Sequence, residues 1–293
     1  MKWTPGYRSD DVEDRRGQGG GGGGLSGGGL GLLFWLFKLF GLPGLLVGGA
    51  ILFFGSSLLN TGGSSDDTRG AQSAVPSGAQ AGGDGSDFVG FVFDDVQKTW
   101  ASTFAAQNQP YHKANLVLFS GSTRSGCGVG QSAMGPFYCP NDQKVYIDLS
   151  FYQELKERFG APGDFAQAYV IAHEMGHHVQ HLLGLDDKAQ HSARGQQAGA
   201  DSMSVRLELQ ADCLAGAWAQ ASEKRDLLDP GDIDEALQAA QAIGDDRLQK
   251  ESTGSVTPET WTHGSSAERA RWFKRGFEVG TVAGCDTFGA SKL

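Results

Sequence analysis

Two histidines four residues apart, with a glutamate directly after the first, constrain this chain more than any other stretch: His173-Glu174-Met175-Gly176-His177. At about 3.6 residues per turn, that spacing points both imidazoles the same way from one helix, within reach of a single metal ion. The neighbouring residues suit such a helix. Ala172, Met175, Val179, Leu182 and Leu183 recur at spacings of three and four within Tyr169 to Leu183, which predicts a buried stripe flanking the histidines. Glu174 falls about 100° further around, beside a metal but outside its direct ligands, where it can hold a water. Water is a poor nucleophile toward an amide at neutral pH; zinc lowers the pKa of a bound water to about 7, and a neighbouring carboxylate takes its proton and returns it to the leaving amine. An H-x-x-x-H pair by itself would equally suit two polar residues on a half-exposed helix. Glutamate in the second place turns the reading toward a zinc hydrolase.

A catalytic zinc uses three protein ligands and keeps a position open, so one more is required. Leu207-Glu208-Leu209-Gln210-Ala211-Asp212-Cys213 offers Glu208 and Asp212 four apart, on one face of a helix predicted over about 202–222. Glu208 would complete a His173, His177, Glu208 site. Asp212 would accept a hydrogen bond from the far nitrogen of one zinc-bound imidazole and so fix its tautomer. The flanking Leu207, Leu209, Leu214, Ala215 and Trp218 predict burial, and buried carboxylates need partners. His178, His181 and His191 are rival ligands, but pairing His177 with His181 would leave Glu174 without a role.

H-E-x-x-H followed about thirty residues later by E-x-x-x-D resembles the gluzincin metallopeptidases. Thr262-His263-Gly264-Ser265-Ser266-Ala267-Glu268-Arg269 is similar to the T-H-P-x-x-x-x-R element of the membrane-bound CAAX prenyl protease and heat-shock protease group, with Gly264 in place of proline. That likeness implies that His263 donates a hydrogen bond to the oxyanion of the tetrahedral intermediate, and that Arg269 does the same or holds a carboxylate in place. Across nearly the whole chain, R-S-D-D-V-E-D-R-R (8–16), G-P-F-Y-C-P (135–140), V-Y-I-D-L (145–149), H-E-M-G-H-H-V-Q and E-L-Q-A-D-C resemble the bacterial family of predicted neutral zinc metallopeptidases with one transmembrane segment. Gluzincins lay an extended substrate along a sheet edge, and V-Y-I-D-L is the candidate edge.

Forty-five glycines are too many for a uniformly folded chain of 293 residues. They concentrate in 17–31 and in a Gly/Ser/Ala-rich stretch over 62–85, which divides the chain into a disordered tail over 1–38, an apolar run over 39–59, a linker over 60–87 and a folded domain over 88–293. The run from Leu39 to Leu59 is uncharged and long enough for one transmembrane helix. Lys2, Arg8, Arg15, Arg16 and Lys38 precede it, so the positive-inside rule puts the N-terminus in the cytoplasm and the domain outside. Gly44-x-x-x-Gly48 could pack two such spans into a homodimer. The net charge is −10, and 1–59 carries five cations against four anions, which leaves −11 on the remainder and argues against nucleic acid as a partner.

All four cysteines follow the apolar run, and an even number on the oxidising side fits two disulfides. Of three pairings, Cys127 with Cys139 closes a short glycine-rich loop and Cys213 with Cys285 ties the Glu208 helix to the C-terminal segment; buried thiols, or Cys213 as a zinc ligand, are the alternatives. Periodicity predicts helices over 88–107, 151–159, 233–243 and 267–280, strands over 111–120 and 144–150, and a surface loop over 184–202. The expectation is a mostly helical α+β zincin domain with a small antiparallel sheet behind one transmembrane helix. It would bind Zn2+ and hydrolyse peptides or proteins, with Glu174 as general base. Hydrolysis of another amide is the nearest enzymatic alternative. A zinc-binding envelope scaffold without turnover is the alternative of another class.

Overall fold

The computed structural model describes residues 1–17, 85–192 and 198–293. The first helix, α1 (Ser86–Ala106), turns Phe88, Val89, Val92, Phe93, Val96, Trp100 and Phe104 into the core at the three-and-four spacing expected of it. A four-stranded sheet lies beside it in the order β1-β2-β6-β5, built from β1 (Val12–Asp14), β2 (Asn115–Phe119), β5 (Phe137–Cys139) and β6 (Lys144–Asp148). β1 with β2 and β2 with β6 run parallel, and only β5 is antiparallel to its neighbour. Period-two alternation divides the strands between two faces: Leu116, Leu118, Val145 and Ile147 join the main core, while Val117, Phe119 and Tyr146 form a smaller cluster with Cys139 on the other. A hairpin of β3 (Ser122–Ser125) and β4 (Gly128–Gln131) packs onto Phe137, so closely that a Cβ at Gly130 would lie 2.5 Å from that ring.

The remaining elements among the described residues are mainly helical: α2 (Ser150–Glu157), α3 (Asp164–Leu182), α4 (Leu185–Ser192), α5 (Met203–Lys224), α6 (Asp232–Ala242), α7 (Asp245–Thr253) and α8 (Ser266–Val279). Ser202 caps α5 by accepting from the Val205 amide, and Ser265 with Glu268 forms a capping box on α8. α5 lies between α3 and α8, and glycine makes both approaches. A Cβ at Gly176 of α3 would sit 3.0 Å from the Ala211 Cα, and one at Gly276 of α8 would sit 1.8 Å from the Cys213 carbonyl oxygen. Any side chain there would push the helices apart and with them the residues they carry. Trp218 of α5 stacks on Phe165 of α3 at 5.6 Å, both fully buried, and each such side chain contributes about 1.5–3 kcal/mol. Cys127–Cys139 and Cys213–Cys285 are both bonded.

The class is mixed α+β and mostly helical, but four expectations need correction. The main sheet is largely parallel, because the strand that completes it, β1, comes from a charged N-terminal stretch whose partner lies about a hundred residues on. V-Y-I-D-L is no edge: β6 is paired on both sides, and β1 and β5 are the outer strands. The predicted loop over 184–202 begins with α4. Residues 1–17 are no solvated tail; they are strapped across α1 and the sheet. No helix among the described residues is long and apolar enough to cross a membrane. The predicted span over 39–59, the Gly44/Gly48 pairing and the linker up to 84 all fall outside the described residues.

Candidate metal centre

His173 and His177 both lie on α3, one turn apart, with ring centroids 4.9 Å from each other and planes at 90°. Glu208 arrives from α5. Its carboxylate oxygens lie 3.2 Å from His173 Nε2 and 3.6 Å from His177 Nε2. These three donors are close enough together to hold a metal ion. Zinc bonds of about 2.0–2.1 Å in a tetrahedron place adjacent ligand atoms about 3.3 Å apart, so the observed separations bracket what such a site requires. The donor chemistry agrees as well, since two imidazoles and one carboxylate leave a fourth position open.

Each imidazole is held by its other nitrogen. His173 Nδ1 is 2.8 Å from Asp212 Oδ1, and His177 Nδ1 is 2.9 Å from Gln180 Oε1. A proton on each Nδ1 satisfies both contacts and leaves both Nε2 atoms directed at Glu208. Asp212 is fully buried and ringed by donors. Arg269 of α8 reaches it through Nε at 2.9 Å and Nη2 at 3.0 Å, and the Tyr169 hydroxyl donates to it as well. Gln180 is fixed in turn, donating to the Leu207 carbonyl at 2.8 Å and to Gln210 at 3.0 Å, while Gln210 donates to the Cys285 carbonyl at 2.9 Å. The Cys213–Cys285 disulfide therefore anchors the far end of a chain of contacts that begins at a metal-facing imidazole.

Opposite charges buried side by side set the protonation of these groups, and a metal would take the place of the proton that faces Glu208. Burial disfavours an ionised Glu208, yet the facing His177 and His263 outweigh it and hold the carboxyl well below its ordinary range. Burial also opposes charge on Asp212, and Arg269 and His173 overcome it. His173 is driven the other way: burial would lower its pKa, but Asp212 and Glu208 raise it to about 10. Glu174 is buried one residue past His173, and among the described residues no hydrogen-bond partner occupies its carboxylate. The Tyr152 hydroxyl of α2 is buried with no hydrogen-bond partner among the described residues, its pKa pushed up by burial and by the Glu174 charge.

Thr262, His263 and Gly264 wrap around Asp245, the first residue of α7. Its Oδ2 accepts the three successive backbone amides at 2.7, 2.6 and 3.1 Å, and Oδ1 lies 3.3 Å from His263 Nδ1. His263 is half exposed and close enough to Glu208 that each shifts the other's pKa. Gly264 takes φ +90° and donates its amide to Asp245, neither of which proline could do, so the departure from T-H-P is built into this loop.

Of the residues expected at the site, His173, His177 and Glu208 converge, Glu174 and His263 lie beside them, and Asp212 stands behind His173. Of the two roles expected for Arg269, the structure shows the second: it is buried and holds the Asp212 carboxylate, which makes it a positioning residue and not a catalytic one. His178 points elsewhere, 3.0 Å from the Tyr138 hydroxyl and 2.7 Å from the His112 carbonyl, and His181 pairs with Asp186 at 2.8 Å. The side chain of His191 lies outside the described set. Tyr169, Gln180 and Asp245 escaped the sequence reading. Tyr169 is four residues before His173 and Gln180 three after His177, so helical spacing could have found those two; no local pattern sets Asp245 apart from an ordinary acidic first turn.

Comparison with known proteins agrees with this chemistry. A family model described as "Putative neutral zinc metallopeptidase" matches residues 1–288. "Uncharacterized protein YpfJ" of Escherichia coli (strain K12) is 46% identical over 298 residues, covering 99% of this chain and 100% of that protein. "Uncharacterized protein Rv2575" of Mycobacterium tuberculosis (strain ATCC 25618 / H37Rv) is 48% identical over 194 residues, covering 62% of this chain and 65% of that protein. No solved structure matches.

Proposed function

Because the chain belongs to this neutral zinc metallopeptidase family, we propose that it is a zinc-dependent peptidase of gluzincin-like architecture acting on peptides or proteins. The observation that carries the reading is the convergence of His173 Nε2, His177 Nε2 and a Glu208 oxygen, with both Nδ1 atoms already tied down. Zinc held by these residues would supply the acidity that makes water a nucleophile at neutral pH. Glu174, whose carboxylate no described residue occupies, takes a proton from the attacking water as its oxygen adds to the scissile carbonyl carbon. It then delivers that proton to the amide nitrogen as the carbon–nitrogen bond breaks. His263, steadied by Asp245, donates to the oxyanion, an interaction of a kind typically worth about 3–4 kcal/mol of barrier. Arg269 and Tyr169 keep Asp212 in place, and Asp212 keeps His173 in its metal-binding tautomer.

The same reading includes an anchor in a membrane through the apolar run over 39–59, with the zinc domain on the oxidising side. The two disulfides support that side.

The test pairs the parent chain with Glu174→Gln. The parent should contain one zinc per chain and cleave a peptide library, with cleavage abolished by a chelator. Glu174→Gln should keep the zinc and lose about 10²–10⁴-fold in kcat. Full biological complementation by Glu174→Gln would favour the zinc-binding scaffold instead.

A further inference from the structure

The first seventeen residues are tied into the domain along their whole length. The Met1 ammonium lies 3.2 Å from Asp164, 3.2 Å from Asp229 and 3.3 Å from Asp232. The Lys2 amide donates to the Leu227 carbonyl at 2.7 Å, and Trp3 packs edge-on against Phe88 at 5.3 Å. Tyr7 and Ser9 both donate to Asp94 of α1 at 2.8 Å. Gly90 is where the strap crosses α1, for a Cβ there would be 3.3 Å from that of Ser9. Val12, Glu13 and Asp14 then pair with Leu116, Val117 and Leu118, the Arg15 amide donates to the Leu118 carbonyl at 2.8 Å, and Lys144 reaches Glu13 at 2.9 Å. Without this segment β2 would present an unpaired parallel edge and α1 would lose part of its cover. Met1–Gly17 and residues 85–293 are parts of one compact body.

Backbone hydrogen bonds of 2.7–2.8 Å cannot be made through about 30 Å of hydrocarbon. The conclusion is the same if the strap of one copy were to fill its place on another, because both copies would have to share a compartment. We propose that Met1–Gly17 and the zinc domain lie on the same side of the membrane, the oxidising side on which Cys127–Cys139 and Cys213–Cys285 form. This rests on the membrane-anchored reading above and replaces the cytoplasmic N-terminus expected from the sequence. The cations that led to that expectation have other work: Lys2 is bound to Asp226, Arg15 to Glu13 and Arg16 to Asp14. Before residue 18, four cations stand against four anions.

Thr4 and Ser255 are both exposed and far apart in the chain. Full-length Thr4→Cys and Ser255→Cys, made in bacterial cells, are treated with a membrane-impermeant maleimide before and after lysis. The parent chain, whose four cysteines are bonded, is the folding control and should not react. Both variants should label fully before lysis. Labelling of Ser255→Cys before lysis and of Thr4→Cys only after it would overturn the proposal, and protection of both until lysis would overturn the assignment to the oxidising side. An alkaline carbonate wash separates this from the anchored reading: a chain released by the wash fails that reading, while equal labelling of the two sites still supports the shared compartment.

Discussion

Helix α3 carries two clusters of metal-ligating groups, and they are put to different uses. Near its start, Asp164 meets Asp232 and Glu235; further along the same helix, His173 and His177 meet Glu208, and in both clusters the ligating atoms lie within 4.8 Å of one another. At the first, the Met1 ammonium supplies the positive charge, and Glu235 accepts the Phe165 amide at 3.0 Å. At the second, the available cation, Arg269, is committed to Asp212, and the outer nitrogen of each imidazole is committed to Asp212 or Gln180. Proximity of ligand atoms therefore does not make a metal site. What matters is that the protein satisfies the outer nitrogen of each imidazole, so that the inner nitrogens and the Glu208 carboxylate are turned toward one point.

The largest effect that would break this contrast is on zinc content. Glu208→Gln should lose more than the roughly 10–100-fold in affinity that a supporting contact is worth, whereas Asp232→Asn should still carry one zinc per chain by elemental analysis. Equal loss in both, or loss only in the second, would reverse the assignment of the two clusters.

Asp212→Ala sharpens the comparison from behind. It strips a buried arginine of its carboxylate, so urea unfolding should show a loss of about 3–5 kcal/mol, and competition with a chelator should show zinc held about 10–100-fold more weakly. A fully stable variant would mean that Arg269 finds another partner.

His178, one residue past His177, is a control on the same helix facing away from the metal. Burial lowers its pKa to about 4 against an unfolded value of about 6.5, so between those values the unfolded chain binds the extra proton. Its contribution is whole above about pH 6.5 and is lost as pH falls toward 4, amounting to a difference on the order of 3 kcal/mol. Denaturation of the parent and of His178→Gln across that range should show the slope flattened in the variant. The smallest effect belongs to the N-terminal clamp. Asp232→Asn should destabilise by about 1 kcal/mol or less, because Asp164 and Asp229 remain on the ammonium and both are well exposed.

Much of the metal centre was legible in the chain because its information is local. A step of four along a helix aligns His173 with His177 and Glu208 with Asp212 without any knowledge of the fold. The same rule, carried one turn further each way, reaches Tyr169 and nearly reaches Gln180. The N-terminal strap was not legible. Val12-Glu13-Asp14 is too short and too charged to show alternation, and its order comes from partners at 94, 116–118 and 164 that no window along the chain contains. The identity of the edge strand was hidden for a similar reason. V-Y-I-D-L reads as a good strand, but whether a strand is central or outermost depends on what else pairs with it.

By itself, then, the sequence determined the helical faces, the donor set available to a divalent ion and the even count of cysteines, since each follows from composition and a fixed periodicity. Only the tertiary structure decided that α3 and α5 approach closely enough at Gly176 for Glu208 to meet both imidazoles, that Arg269 stands behind the site, that Asp245 gathers the His263 loop, and that the first residues of the chain belong to the same body as the last. Those outcomes depend on contacts between residues distant in the chain, and a contact of that kind exists only once the intervening segments have packed.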